Sequence, residues 1–313
     1  MNAPIDRRQF LRVVGFGSAA TAAVASPVAA IEHPAHPEAP PDAVGMLYDN
    51  TICTGCKACM PACNEANGLP ADTALSGGLW DMPLDLNEKT KNIIKLYQDP
   101  HGTGSAFVKR QCMHCLDPAC VAGCPFGALE KNKWGAVTWD SSRCIGCRFC
   151  EVACPFQVPK FEWDRWNPKI VKCEFCFDQR LTKNQQPACC AVCPTGAVIF
   201  GKRADLLATA KERIAVTPGR YFEDRVYGEH EAGGTQVLYL SHATVAFDKI
   251  GLPKLGSTSL GHYATKVTSV IYKWLAGPLF IAAVLGSVIK RNWNRHEAER
   301  RDREKRTGLP DQL

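Results

Sequence analysis

Short apolar runs bounded by turn residues dominate the middle of the chain. Asn92 to Tyr97 and Ala106 to Arg110 read as the two strands of a hairpin. Gly127-Ala-Leu-Glu130 and Gly135-Ala-Val-Thr-Trp139 flank Asn132-Lys133-Trp134 and read as a second hairpin. Gly196-Ala-Val-Ile-Phe200 repeats the Gly-Ala-Leu theme, the mark of an internal repeat. Helical spacing is clear over Asp205 to Ile214, where Leu207, Ala210 and Ile214 fall on one face. Residues 64–90 carry few regular signals and contain Leu79-Trp80. They read as a surface loop, with a partner-docking insertion as the alternative.

Longer apolar runs stand at the two ends. Trp274 to Ile289 is 16 residues without a charge, about 24 Å of helix against a hydrocarbon core of about 30 Å. Extension back to Val267 gives 23 residues, or about 34 Å, and takes in Lys273, which is placed to snorkel. Tyr272, Trp274 and Trp293 suit the interfacial belts, Pro278 predicts a kink, and Lys290 opens a basic tail where cytoplasmic anchoring would put it. We therefore expect a linker over 256–266, one transmembrane helix over 267–289 and a basic cytoplasmic tail over 290–313. A buried helix or an amphipathic surface helix is the alternative. At the other end, Asp6-Arg7-Arg8-Gln9-Phe10-Leu11-Arg12 precedes a weakly apolar stretch, Val13 to Ala25, and then Val28-Ala29-Ala30. That order defines a signal peptide over 1–30, cut after Ala30. Arg7 and Arg8 before Phe-Leu, with a core as polar as Gly15, Gly17, Ser18 and Thr21, resemble a twin-arginine export signal. Such export moves proteins already folded around their cofactors. Residues 31–44 hold Pro34, Pro37, Pro40 and Pro41 and read as a stiff, unpacked leader.

Composition narrows the class. A length of 313 residues suggests about two domains. Hydrophobic residues at 46% and charged residues at 22% exclude a wholly disordered chain and a multi-span transporter. The net charge of +6 is carried mostly by the ends, because residues 31–289 hold 26 cations against 25 anions. A near-neutral body argues against nucleic-acid binding.

Cysteine changes the picture. There are 17, and sixteen of them fall into four groups. The first is Cys53, Cys56, Cys59 and Cys63; the second is Cys112, Cys115, Cys120 and Cys124; the third is Cys144, Cys147, Cys150 and Cys154; the fourth is Cys173, Cys176, Cys189 and Cys193. Proline follows the last cysteine of the second, third and fourth groups. Three thiolates within seven residues wrap one corner of a cube-shaped cluster, and the next cysteine points to a neighbouring cluster, as in two-cluster ferredoxins. Disulfides are the serious alternative in an exported chain. Zinc fits only the fourth group, with its paired spacing. We expect four 4Fe–4S clusters. The second and third groups, with the hairpin between them, have the shape of one two-cluster ferredoxin unit. The first and fourth would form the other. Cys190 is left over and leaves open whether it or Cys189 is the ligand; the spacing of three before Cys193 favours Cys189.

The four groups resemble the iron–sulfur, electron-transfer subunits of the formate dehydrogenase, nitrate reductase and DMSO reductase families. Gln111-Cys-Met-His-Cys-Leu-Asp-Pro-Ala-Cys120 is typical of them, and the likeness covers about residues 46–255. More narrowly, the chain resembles the membrane-anchored iron–sulfur subunits of the hydrogenase-2 type. The carriers are the export signal, Ile271-Tyr-Lys-Trp-Leu-Ala-Gly-Pro-Leu279, and Tyr227-Gly-Glu-His-Glu-Ala-Gly-Gly-Thr-Gln-Val-Leu238. The resemblance implies an α+β fold: two pseudo-symmetric bacterial-ferredoxin-like units with loop insertions over 45–255, plus the C-terminal transmembrane helix. It also implies four ligand sets. Set one is Cys53, Cys56, Cys59 and Cys193. Set two is Cys63, Cys173, Cys176 and Cys189. Set three is Cys112, Cys115, Cys120 and Cys154. Set four is Cys124, Cys144, Cys147 and Cys150. Asn64, rather than Pro, after Cys63 departs from the pattern.

The function so implied is a non-catalytic relay on the periplasmic face of the inner membrane. Its partners would be the large and small subunits of a nickel–iron hydrogenase, an integral membrane quinone-reacting subunit, and the bilayer. A formate dehydrogenase or another molybdenum oxidoreductase is the alternative partner. A zinc-and-disulfide scaffold is the alternative of another class. No phosphate loop and no His, Ser or carboxylate arrangement marks a substrate site. Lys109, Arg110, Lys131, Lys133, Arg143 and Arg148 lie near the ligands and are placed to raise potentials. His114, between two ligands, reads as a hydrogen-bonding neighbour or space filler rather than a ligand. Trp163 and Trp166 read as core packing.

Overall fold

Strand β1 (Val44–Asp49) has burial on both faces, and the molecule is arranged around it. The computed structural model describes residues 33–70, 83–100, 104–163, 168 and 170–307. The signal segment with Arg7 and Arg8, Leu79-Trp80 and Trp166 lie outside these residues, as do the side chains of 268–280. The hairpin read from the sequence is present as β2 (Asn92–Gln98) against β3 (Ser105–Gln111), antiparallel. The second is β4 (Leu129–Lys131) against β5 (Val137–Trp139). A two-residue pair, β6 (Lys160–Phe161) and β7 (Ile170–Val171), follows. Strand β8 (Val198–Lys202) then runs antiparallel to β1, and β9 (Val237–Leu240) runs parallel on its other side, giving the order β8-β1-β9.

Alternation along β1 feeds two cores. Met46 and Tyr48 face the core that also holds Cys59, Cys112, Cys173 and Cys189. Leu47 faces the opposite side with Leu238 and Leu240, where a helix covers them. A third small core, Cys120, Leu129, Val137, Cys150, Phe161 and Ile170, serves the central hairpin. Three tyrosines lock the first core by donating to backbone oxygens: Tyr48 to Phe107 at 2.7 Å, Tyr239 to Lys109 at 2.6 Å and Tyr227 to Pro253 at 2.7 Å. Each buries a large ring while its hydroxyl stays paired, the condition for burying tyrosine at low cost.

Four helices carry cysteines: α1 (Cys59–Asn67), α2 (Ala119–Ala122), α3 (Phe149–Ala153) and α4 (Ala188–Ala191). The expected helix at 205–214 is α5 (Arg203–Val216). Its deepest residues are Leu206 and Ala210, while Leu207 and Ile214 are only partly buried, so the buried face is rotated from the one the sequence suggests. Residues 36 and 259 show that the Pro-rich leader is not free: Ser259 N–H donates to Ala35 O at 2.7 Å, and His36 Nδ1 meets Ser257 O at 3.2 Å.

The last helix, α6 (Leu260–Thr307), is one continuous element of 48 residues, about 72 Å. It begins within the stretch expected to be a linker and continues through most of the expected tail. Among the described residues no helix is long and apolar enough to cross a membrane. Ser259 caps its start, with Oγ accepting from His262 N–H at 3.1 Å and donating to buried Asp117. Asp117 stands between Cys115 and Cys120, so the helix is fastened to the second cysteine group.

Leu206→Ala is expected to lower stability by about 2–5 kcal/mol, the usual cost of such a cavity. Thermal denaturation should show a lower midpoint, while visible absorbance from the cysteine-rich side stays that of the parent.

Candidate metal centres

The four cysteine groups fold into two kinds of loop. The first and third share one backbone path. Gly55 (φ 67°) and Lys57 (φ 58°) flank Cys56, as Gly146 (φ 70°) and Arg148 (φ 65°) flank Cys147. Left-handed residues on each side of the cysteine curl the chain into a tight loop, at whose turn Cys56 and Cys147 are exposed. A Cβ on Gly55 would lie 2.3 Å from the Phe107 ring, so the position tolerates nothing larger. The second and fourth groups share the other path. Pro118 leads into Ala119-Cys120-Val121-Ala122, and Pro187 leads into Ala188-Cys189-Cys190-Ala191. Gly127 (φ 59°) and Gly196 (φ 65°) stand three residues after Cys124 and Cys193. In that correspondence Cys189 matches Cys120, and Cys190 matches Val121.

The thiols gather accordingly. Cys59 is surrounded by Cys189, Cys53 and Cys193. Cys63 meets Cys189 and Cys176, and Cys173 meets Cys63, Cys189 and Cys176. Cys63, Cys173, Cys176 and Cys189 together line one small enclosed cavity, which Cys190 does not line. Cys120 meets Cys112, Cys154 and Cys115, while Cys150 meets Cys124, Cys144 and Cys147. Fifteen of the sixteen candidate thiols thus lie within electrostatic reach of other candidates. Cys56 is exposed. Neighbouring sets also come within electrostatic or packing reach of one another. Cys59 reaches Cys189 between sets one and two, Cys173 reaches Cys112 between sets two and three, and α2 packs on α3 between sets three and four. The gatherings therefore lie in the order one, two, three, four.

All 17 cysteines are free thiols. Among the described residues no three His, Cys, Asp or Glu side chains close on a single metal ion. Burial pushes Cys59 up to about 11, Cys63 and Cys150 up to about 12 and Cys154 up to about 11. Neighbouring thiols contribute to these values in the same direction, and Lys109 opposes them at Cys59 and Cys63. Such pockets disfavour bare thiolates and fit a group that brings positive charge with it, which an iron–sulfur core does. Two thiols are held below the usual range instead: Cys189, to which Cys190 hydrogen-bonds, and Cys193, where burial is outweighed by hydrogen bonds from the Val198 and Ala197 backbone and from Thr195.

Hydrogen-bond donors line the sets. Asn67 Nδ2 donates to Cys63 O at 2.8 Å and lies 3.6 Å from both Cys63 Sγ and Cys176 Sγ. Lys91 Nζ holds that amide through Asn67 Oδ1 at 3.0 Å and is itself paired with Glu174 at 2.9 Å. Ala128 N–H donates to Cys124 Sγ at 3.3 Å. Lys131 Nζ donates to His114 O and Cys115 O, and Lys172 Nζ donates to Val137 O and Cys173 O. None of Asn67, Asn92, Lys91 or Lys172 stands out in the sequence, because an amide or lysine outside a cysteine motif carries no spacing signal.

The remaining candidates divide. His114 is fully buried, stacks on Phe175 at 3.7 Å and accepts Val137 N–H on Nδ1 at 2.9 Å. It is a hydrogen-bonding neighbour of the second group. Lys133 and Arg143 are exposed. Trp163 is not core packing: it is 65% exposed, and the Arg148 guanidinium lies 3.6 Å over its ring. A flat cation and an indole shield each other at the surface without needing a core.

Ferredoxin-like loops holding thiols in fours define an iron–sulfur electron carrier. The chain matches the 4Fe-4S dicluster domain over residues 45–125 and again over 104–203. It is 37% identical to the hydrogenase-2 operon protein HybA of Escherichia coli O157:H7, covering 92% of this chain and 96% of the relative. It is 37% identical to the nitrate-inducible formate dehydrogenase iron-sulfur subunit of Escherichia coli K12 over 67% of this chain and 72% of the relative. With the formate dehydrogenase-O iron-sulfur subunit of that organism, identity is 35% over 78% and 81%. The chain belongs to this family of 4Fe–4S iron–sulfur subunits. It is an electron-transfer subunit of an oxidoreductase complex and leaves catalysis to other chains. The zinc-and-disulfide alternative falls with that membership.

Asn67→Leu removes the amide beside Cys63 and Cys176. Redox titration followed by electron paramagnetic resonance (EPR) should show one reduction midpoint falling and the others holding. A second expectation concerns the iron-free chain. Thiols free in the unfolded chain ionise near 9, whereas burial holds Cys63 and Cys150 protonated up to about 12. Stability from these groups is complete below the lower value and is lost as pH rises toward the upper one. The urea midpoint of iron-free chain should therefore be lower at about pH 10 than at about pH 7.

Proposed function

We propose that this chain is the relay of a membrane-bound, hydrogenase-2-type complex, with a 4Fe–4S cluster at each of the four cysteine sets. The observation that carries the reading is the ordered row of thiol sets, linked by the electrostatic reach of Cys59 to Cys189 and of Cys173 to Cys112 and by the packing of α2 on α3. When bound, clusters in such a row supply one-electron transfer from one end of the chain to the other. The protein's part is to fix separations, exclude water and set the charge around each set. Tyr48, Tyr227 and Tyr239 fix the loops to the sheet. Asn67, Lys91, Lys131 and Lys172 supply donors and positive charge behind the cysteines.

The partners in this reading are the large and small subunits of a nickel–iron hydrogenase at one end. At the other is an integral membrane subunit that reacts with quinone. Likeness to the hydrogenase-2 operon protein over 92% of the chain favours this over the formate dehydrogenase reading, whose first relative matches over 67%. The polar-cored signal with Arg7 and Arg8 supports export of the folded, loaded chain. The uncharged run Trp274 to Ile289, followed by the cations from Lys290, supports a single span with the cysteine body on the periplasmic face and the tail in the cytoplasm. The continuous helix α6 suits a span that emerges directly from the relay, fastened at Asp117.

Low-temperature EPR on native membranes tests the partner. Signals of several 4Fe–4S clusters should appear under hydrogen and vanish from a strain lacking this chain. Signals answering to formate alone would move it to a formate dehydrogenase. For the export signal, replacing both Arg7 and Arg8 with Lys should leave the protein in the cytoplasmic fraction; undiminished export would contradict that assignment.

A further inference from the structure

Lys109 lies on β3 with 1% of its surface exposed. A buried ammonium needs compensation, since removing it from water costs several kcal/mol unless partners answer it. The other interior lysines have ordinary answers. Lys91 pairs with Glu174, and Lys131 and Lys172 each donate to two backbone carbonyls. Lys109 Nζ donates to Asn92 Oδ1 at 2.8 Å, and among the described residues no carboxylate pairs with it. Asn92 faces the sulfurs: its Nδ2 donates to Cys59 O at 3.2 Å, and its side chain also reaches the Cys63 thiol. Asn92 lines the cavity of Cys63, Cys173, Cys176 and Cys189. The groups whose charges reach Lys109 are, in order of strength, Cys189, Cys59, Tyr239 and Cys63, so three of the four are thiols of sets one and two.

Cys59 belongs to set one, and Cys63 and Cys189 to set two. The ammonium therefore stands behind the junction of two sets rather than behind either alone. A 4Fe–4S core held by four thiolates carries net negative charge, and adding an electron makes it more negative. A fixed cation within the same dry region favours the reduced form, because the low dielectric leaves its field unscreened. Tyr239 donates to Lys109 O at 2.6 Å and helps to hold the backbone that positions the side chain.

We propose that Lys109 is a positioning residue of the relay: one buried ammonium, aimed through Asn92, raises the reduction potential at sets one and two together and at no others. This rests on those sets holding 4Fe–4S clusters.

The test uses the full chain, loaded with clusters, in detergent. Iron and acid-labile sulfide are measured first, and redox titration is then followed by EPR for the parent, Lys109→Met and Lys109→Arg. In Lys109→Met two of the four midpoints should fall and two should hold, and Lys109→Arg should stay near the parent. Four unchanged midpoints in Lys109→Met would overturn the proposal. So would a shift shared by all four, or one equally large in Lys109→Arg. If Lys109→Met loses clusters, their retention in Lys109→Arg with parental midpoints supports a required charge, whereas loss in both variants makes the lysine a packing residue and ends the proposal. A parent chain without iron and sulfide would instead overturn the cluster reading itself.

Discussion

Crowded, buried sulfur is the constraint on which this structure depends. Burial, with neighbouring thiols pushing the same way, drives thiols such as Cys63 and Cys150 up to about 12. A fold that collects them in fours satisfies them only with a group that accepts thiolate ligands and brings its own positive charge. The rest of the architecture serves that requirement. Left-handed residues around Cys56 and Cys147 curl the loops tightly, and the prolines before α2 and α4 start the short helices that carry Cys120 and Cys189. Buried lysines and amides stand where a hydrophobic core would hold leucine.

The sheet does the mechanical work. Strand β1 is buried on both faces and presents Met46 and Tyr48 to the sulfur-bearing core and Leu47 to the core under α5. Tyr48 and Tyr239 meet edge to face at 5.3 Å and donate to neighbouring backbone, so the hairpin of β2 and β3 is fixed to the sheet by aromatic packing and hydrogen bonds. That hairpin carries Lys109 and Asn92. The same contacts that stabilise the fold therefore also fix the charge beside the first two cysteine sets.

Much of this was legible in the chain. Both hairpins, the helix at α5 and the four cysteine groups follow from turn residues and spacing. The repeat announced by Gly127 and Gly196 reappears as matching φ values and as the equivalence of Cys189 with Cys120. Strands β1 and β9 gave no signal, because a strand buried on both faces has no alternation. The buried face of α5 was misread by one residue because Leu206 and Leu207 are alike in sequence. Trp163 was misread because an exposed indole beneath a guanidinium looks like any core tryptophan in a sequence. The polar residues behind the sulfurs were invisible for a simpler reason: Lys109, Asn92 and Asn67 become informative only once folding has carried them to cysteines far away in the chain.

Iron-edge anomalous diffraction from crystals of the loaded chain is the decisive test of the row of four sites. Four compact iron centres in a row are expected, the second of them ringed by Cys63, Cys173, Cys176 and Cys189. Fewer than four centres, or a metal held at Cys190 in place of Cys189, would contradict it.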